Sequence, residues 1–170
     1  YVRGNELYGQ NNFIDNQDNT ITDTATGLMW MKYDSGQFNV GENKDGAVNW
    51  EKGLEWAKNM TYAGYRDWRV PNAKELQSIV DYTKSPKTSD SAAINDKFIC
   101  TEIIDEGGKK NYPFYWSSTT HLDGQDPENH AVYVSFGEAL GYFSPTPDQP
   151  KTIMDVHGAG AVRSDPKNGN

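Results

Sequence analysis

Aromatic side chains are concentrated in a chain that is otherwise polar, and this feature most limits what the sequence can fold into. Trp, Tyr and Phe make up 12% of the residues, although only 35% of all residues are hydrophobic. Disordered chains are poor in aromatic residues, whereas each buried aromatic ring contributes a large area to a core. The 170 residues therefore predict one folded domain with a polar surface and long loops.

The charge balance narrows the choice of partners. The chain carries 24 acidic against 16 basic residues, a net charge of −8. Such a surface repels nucleic acids and anionic lipids, so we expect neither as a partner. The apolar runs are only a few residues long, far short of the ~20 residues of a membrane-spanning helix. We therefore expect no direct insertion into a membrane.

Two amphipathic helices are predicted in the middle of the chain. Apolar residues recur at helical spacing over Trp50–Met60 and again over Asn72–Tyr82. Asn49 and Asn72 are suited to cap these helices, and Glu75 completes a capping box with Asn72. The predicted core consists of Trp30, Trp50, Leu54, Trp68, Leu76, Ile79 and Trp116.

Strands are predicted on both sides of the helices. Short β-type segments lie near Phe13, Thr20–Asp23 and Leu28–Met31, and further ones follow at Tyr112–Thr120 and Ala131–Phe136. From Gly137 onward the sequence predicts loops. Strands first, then helices, then strands again is an α+β order rather than an alternating one.

Some residues admit two interpretations. Arg66, Asp67 and Arg69 fit substrate recognition, but we favour local pairing that fixes the turn between the helices. Cys100, the single cysteine, fits a small buried thiol better than a nucleophile, because no activating histidine lies beside it in sequence.

Calcium is the metal that the sequence favours, because oxygen ligands are abundant in turns. A transition-metal site at His121 with Asp123, together with Asp155 and His157, is less favoured, since such pairs arise easily by chance. The calcium ligands we predict are Asp123, Asp126 and Glu128. Two other turns offer similar oxygens, namely Asp15, Asn16, Asp18 and Asn19, and Glu42, Asn43 and Asp45.

Four segments resemble one known family. The first segment, residues 13–30, reads FIDNQDNTITDTATGLMW. The second, residues 50–81, starts with a helix led by Trp and then contains Gly-Tyr, Asp-Trp-Arg, Pro and Glu-Leu in that order. The third, residues 115–120, reads YWSSTT. Together with the strand at 131–136, this order resembles the Lcl C-terminal-domain family over residues 8 to 165. The family takes its name from a bacterial collagen-like adhesin.

The resemblance implies a C-type-lectin-like fold, with two helices flanking small antiparallel β-sheets and long loops. It also implies a location outside the bacterial cytoplasm: extracellular, on the cell surface or in the periplasm. Residues 1–7 are then expected to be a linker or the tail of a preceding repeat, because Tyr1-Val2-Arg3-Gly4 resembles the family's closing run. Residues 8–170 would form the domain itself, without its closing strand, beside neighbouring repeat domains of a longer chain.

A ligand surface is expected on the loops after the two late strands, since rigid scaffolds often present binding residues on loops. Acids and amides bind sugar hydroxyls, and aromatic faces stack on sugar rings. The candidate ligand-binding residues are His121, Asp123, Asp126, Glu128, Asn129, Tyr142 and Phe143.

Three functions are compatible with these features. We favour a non-enzymatic adhesion module that recognises a glycan or a surface protein. The alternatives are a structural spacer in a tandem array and, less favoured, a metal- or cysteine-dependent enzyme on a lectin-like scaffold. The acidic charge argues for neutral or cationic ligands rather than the sulfated polysaccharides associated with the namesake adhesin.

Overall fold

The structure is a computed structural model that describes residues 1–122, 126–144, 146 and 148–169. Within these ranges the chain is a mixed α and β protein with small antiparallel sheets and few helices. The strands are β1 (Phe13–Asp15), β2 (Thr20–Asp23), β3 (Leu28–Met31), β4 (Ile103–Ile104), β5 (Lys110–Asn111), β6 (Phe114–His121), β7 (His130–Ser135), β8 (Leu140–Phe143), β9 (Thr152–Asp155) and β10 (Val162–Pro166). The helices are α1 (Trp50–Asn59), α2 (Ala73–Ser78) and α3 (Pro86–Ser89).

The described strands form two three-stranded sheets and two hairpins. The first sheet has the order β1-β2-β3, and the second has the order β10-β7-β6, with β7 in the centre. The hairpins pair β4 with β5 and β8 with β9. All of these pairs are antiparallel. Helix α2 packs against β6 and β7, which places the core on that side of the second sheet.

Both predicted helices are present, and their caps are as predicted. The Asn49 side chain accepts a hydrogen bond from the Lys52 N–H at 3.0 Å, and Asn72 and Glu75 form the reciprocal capping box. The prediction that the second helix continues to Tyr82 is wrong, because α2 ends at Ser78. Beyond it, Val80 leaves the helix and pairs with Ile94 in an isolated bridge, so tertiary pairing outcompetes helical spacing.

The prediction of loops after Gly137 is also wrong. Three strands, β8, β9 and β10, lie in this part of the chain. Strand β10 pairs with β7 over five residues, from Val162 opposite Val134 to Pro166 opposite His130. The boundary at residues 7 and 8, and the expectation that the family's closing strand is missing, stay predictions.

The core differs from the predicted one. Leu76 and Ile79 are buried as expected, but Leu54 and the four predicted tryptophans are only partly buried. The most buried hydrophobic positions are instead aliphatic, including Ile21, Ala93 and Val134, each with no exposed surface. Indole rings carry an N–H that needs an acceptor, which favours the margin of a core over its centre.

Two tryptophan side chains donate their indole N–H groups to backbone carbonyls at the margin of the core. Trp50 donates to the Ser117 carbonyl at 2.8 Å, and Trp116 donates to the Val48 carbonyl at 3.1 Å. These two bonds join the start of α1 to strand β6. Trp50 and Trp116 therefore fasten the chain at the start of α1 to the sheet, whereas Trp30 packs against the core and its buried N–H has no acceptor among the described residues.

Candidate ligand-binding surface

The side chains predicted to bind a ligand fall into two groups in the structure. His121 ends β6, and Asp126, Glu128 and Asn129 lie exposed on the connection from β6 to β7. We call this connection, residues 122–129, the acidic turn. Asp123 lies outside the described residues. The aromatic pair, Tyr142 and Phe143, lies instead on β8.

Tyr142 and Phe143 line a cleft of about 400 Å³ at one face of the second sheet. Both rings are exposed, Tyr142 by 65% and Phe143 by 47%. The residues of the acidic turn are absent from the walls of this cleft, as far as the described chain shows. The remaining walls come from Phe114, Tyr133, Ala139, Leu140, Gly141, Val156, His157, Arg163 and Asp165.

Two aromatic residues of the second sheet form the floor of the cleft. The rings of Phe114 and Tyr133 pack with their centroids 5.0 Å apart, and Phe114 remains 46% exposed. Burial raises the pKa of Tyr133 to about 12, and the nearby Asp165 carboxylate adds to the shift. The Tyr133 phenol is therefore neutral at physiological pH.

Charged groups reach the same cleft from β10. Arg163 and Asp165 are separated by one residue, so they project from the same face of the strand. Arg163 lies directly opposite Tyr133 in the register of β10 and β7. The cleft thus combines exposed aromatic faces with one guanidinium, one carboxylate and the imidazole of His157.

The sequence did not predict this second group of cleft residues. From Gly137 onward the sequence predicts loops, and only the register of β10 against β7 brings Arg163 and Asp165 to the cleft. Residues 162–165 read Val-Arg-Ser-Asp, one apolar residue followed by three polar ones, so the alternation that marks a half-buried strand is absent there.

A second and larger concavity lies among the tryptophans. It is an apolar hollow of about 930 Å³, and Trp30, Trp56, Trp68 and Trp116 are among the residues that line it. The Asp34 carboxylate at its wall is already bonded, since it accepts from the Thr101 N–H and from the Tyr115 hydroxyl, both at 2.6 Å. The walls are mainly apolar, but charged side chains also line the hollow, among them Asp67 and Arg69 from the stretch before α2.

Cys100 also lines this hollow. Desolvation by burial raises the pKa of its thiol to about 12. The thiol is therefore protonated at neutral pH, and the interpretation of Cys100 as an inert thiol is supported.

The charged stretch between the two main helices pairs locally through one of its residues. Arg69 forms two hydrogen bonds of 2.7 Å to the carboxylate of Glu75. The hydrogen bonds from Arg69 lower the pKa of Glu75 and hold the residues before α2 against its first turn. Arg66 and Asp67 are exposed and show no such pairing within the described residues.

Calcium ligation stays a prediction. No group of three or more His, Cys, Asp or Glu side chains suited to a metal ion occurs among the residues that the structure describes. In the turn after β1, the oxygens are already used: Asp15 pairs with Lys32 at 2.7 Å, and Asp18 accepts from Thr20. The acidic turn leaves Asp126 and Glu128 exposed.

In the described part of the chain, no helix is both long and apolar enough to cross a membrane.

Comparison with known proteins gives one match, which is to a family model. Neither the curated proteins nor the solved structures contain a match. The model of the Lcl C-terminal domain matches residues 19–155 of the 170. The chain therefore belongs to the Lcl C-terminal domain family, which indicates an adhesin-like, surface-associated module.

Proposed function

We propose that this chain is a non-catalytic adhesion module that binds a neutral glycan in the cleft beside β8. The observation that carries the proposal is the exposure of Tyr142, Phe143 and Phe114 around one cleft that also holds Arg163 and Asp165. Exposed apolar patches on a folded domain mark binding sites more often than chance surfaces do.

The chemistry of the cleft suits a pyranose ring. Aromatic faces pack against the C–H groups of a sugar, and charged side chains accept from and donate to its hydroxyls. Arg163 supplies donors, Asp165 supplies acceptors, and the neutral Tyr133 phenol can do both. A surface protein with an exposed polar loop is the alternative ligand for the same groups.

The lectin-like fold and the extracellular location belong to this proposal. Small antiparallel sheets, two main helices and long connections agree with a lectin-like scaffold. The net charge of −8 supports neutral or cationic ligands, because a heavily sulfated chain is repelled unless a cation bridges the charges.

The test begins with a glycan array probed with the parent protein and continues with variants. We expect Tyr142→Ala and Arg163→Ala to weaken binding of the best glycan by about tenfold or more, a loss of at least ~1.4 kcal/mol. Tyr8→Ala is the matched control, because Tyr8 is a tyrosine exposed by 90% on the N-terminal segment, outside the cleft.

Asp126→Ala separates the cleft from the acidic turn, because Asp126 is exposed and lies outside the cleft walls. If Asp126→Ala abolishes binding while Tyr142→Ala does not, the ligand occupies the acidic turn instead. If the folded parent binds nothing on the array or in a pull-down of surface proteins, the structural-spacer interpretation replaces this proposal.

A further inference from the structure

Two histidines are paired across the second sheet at its end. In the register of β6 and β7, His121 lies directly opposite His130, and this is the last pair before the acidic turn. Directly opposed residues of antiparallel strands project from the same face, with Cβ atoms about 4.5–5.5 Å apart. The sequence separates these histidines by eight residues, so only the strand register brings them together.

A hydrogen bond fixes the orientation of the first imidazole. The His121 Nδ1 atom lies 2.7 Å from the hydroxyl oxygen of Ser164 on β10. Because β7 lies between β6 and β10, this contact requires the His121 ring to extend across β7. The ring therefore lies on the face from which His130 also projects.

The second imidazole has an unused nitrogen. The His130 Nδ1 atom is buried and has no hydrogen-bond partner among the described residues. A buried polar atom without a partner is unfavourable, so a ligand for this nitrogen would stabilise the folded chain. The His121 Nε2 atom likewise makes no hydrogen bond to any described residue, since Ser164 bonds the opposite nitrogen.

We propose that His121 and His130 together bind a divalent transition-metal ion. Neutral imidazole nitrogens are preferred ligands of Zn²⁺, Cu²⁺ and Ni²⁺, whereas Ca²⁺ prefers oxygens. Ser164 acts as a positioning residue, because a ligand histidine commonly donates its second N–H to an oxygen that fixes the ring. The exposed Asp126 and Glu128 on the adjacent acidic turn add attraction for a cation.

This site is distinct from the glycan cleft and from the predicted calcium site. Neither His121 nor His130 lines the cleft, whose histidine is His157. Two protein ligands make the site one of moderate affinity. The inference stands on the register and the Ser164 contact, and it does not depend on glycan binding.

Isothermal titration of the metal-free protein with ZnCl₂, and separately with NiCl₂, tests the proposal. We expect saturable binding of one ion per chain in the parent, and its loss in His121→Asn and in His130→Asn. His157→Asn is the matched control and should bind as the parent does, because it removes the third histidine of the chain outside the pair. Ser164→Ala should weaken binding roughly tenfold, and Ser164→Thr should restore it.

Two results would overturn the proposal. One is parent-like zinc binding in the His121→Asn variant, whose exposed position makes misfolding no explanation. The other is an NMR titration of the parent in which Zn²⁺ leaves the ring signals of His121 and His130 unchanged or shifts only that of His157. The NMR arm needs no variant, so it decides the matter even if His130→Asn does not fold.

Discussion

The first sheet and the second sheet's acidic turn contain similar acids but use them in opposite ways. Asp23 at the end of β2 has no exposed surface, and its carboxylate accepts four hydrogen bonds from the chain around it. Asp126 and Glu128 on the acidic turn are exposed instead. Acidic residues that look equivalent in sequence thus accept hydrogen bonds from the chain itself in one region and remain exposed to solvent and ligands in the other.

The four donors to Asp23 show how a buried charge is tolerated. They are the Asn11 amide, the backbone N–H groups of Asn12 and Ala25, and the Thr26 hydroxyl, at 2.8–3.1 Å. Burial by itself raises the pKa of Asp23, but these hydrogen bonds together outweigh it and hold the pKa below its ordinary value. The carboxylate therefore acts as a structural node that joins the residues just before β1 to the end of β2 and to the turn that leads to β3.

Removing that node should give the largest effect. We expect Asp23→Ala to lower the free energy of unfolding by roughly 3 kcal/mol or more, because it leaves several donors without an acceptor in a buried place. Urea unfolding followed by tryptophan fluorescence measures the change. Asp126→Ala is the matched control and should stay within about 0.5 kcal/mol of the parent. Equal stabilities of the two variants would contradict the comparison.

Acid should act on the same node more gradually. Since the folded pKa of Asp23 is lowered, its stabilising contribution is present above the unfolded value near 3.8 and is lost as pH falls through the folded value. We expect the parent to lose stability below about pH 4 more steeply than Asp23→Asn, which has no carboxylate to protonate at this position. Unfolding curves from pH 6 to pH 2 measure the slopes, and parallel slopes would contradict this assignment.

Calcium offers a smaller test of the acids that remain available. If the acidic turn binds Ca²⁺ as predicted, a concentration tenfold above the Kd stabilises the protein by about 1.4 kcal/mol. A melting curve with millimolar calcium against one with chelator measures this. Replacing Asp126 and Glu128 with their amides should remove the shift, whereas Asp15→Asn should retain it, because Asp15 already pairs with Lys32. A melting temperature that calcium and chelator leave unmoved would contradict the prediction.

The smallest effect on stability is expected where we propose the ligand binds. Tyr142 is 65% exposed on β8, so Tyr142→Ala should change the free energy of unfolding by less than about 0.5 kcal/mol. Differential scanning calorimetry of the unliganded protein checks this. A large loss of stability would mean that the ring holds the β8–β9 hairpin in place, and its effect on binding would then be indirect.

Local interactions explain what the sequence predicts well. The Asn72–Glu75 capping box lies within one helical turn, and the strand that begins at Phe114 is marked by consecutive aromatic and β-branched residues. These features depend on neighbours in sequence, so they can be inferred without the fold. The same is true of the acids after β1, whose turn is built from contacts between residues a few positions apart.

Long-range pairing explains what the sequence does not predict. Arg163 enters the cleft only because β10 pairs with β7, more than 25 residues away along the chain. His121 and His130 face each other through strand register, and Val80 leaves its helix because Ile94 offers a partner. None of these outcomes can be predicted from the local spacing of apolar residues. Tyr142 and Phe143 are therefore the cleft residues that the sequence names as candidates, whereas Phe114, Tyr133, Arg163 and Asp165 come to light through the structure, and a ligand at any of them stays a prediction.

The raised pKa of the Cys100 thiol has a consequence for how the protein is handled. With a pKa of about 12, the thiol stays almost entirely protonated at pH 7, and the thiolate is the reactive form. Copies of this chain should therefore resist oxidative cross-linking to one another in an oxidising medium while they remain folded. Because Cys100 is the single cysteine, its rate of alkylation measures how often the protein opens transiently at the wall where Asp34, Thr101 and Tyr115 meet.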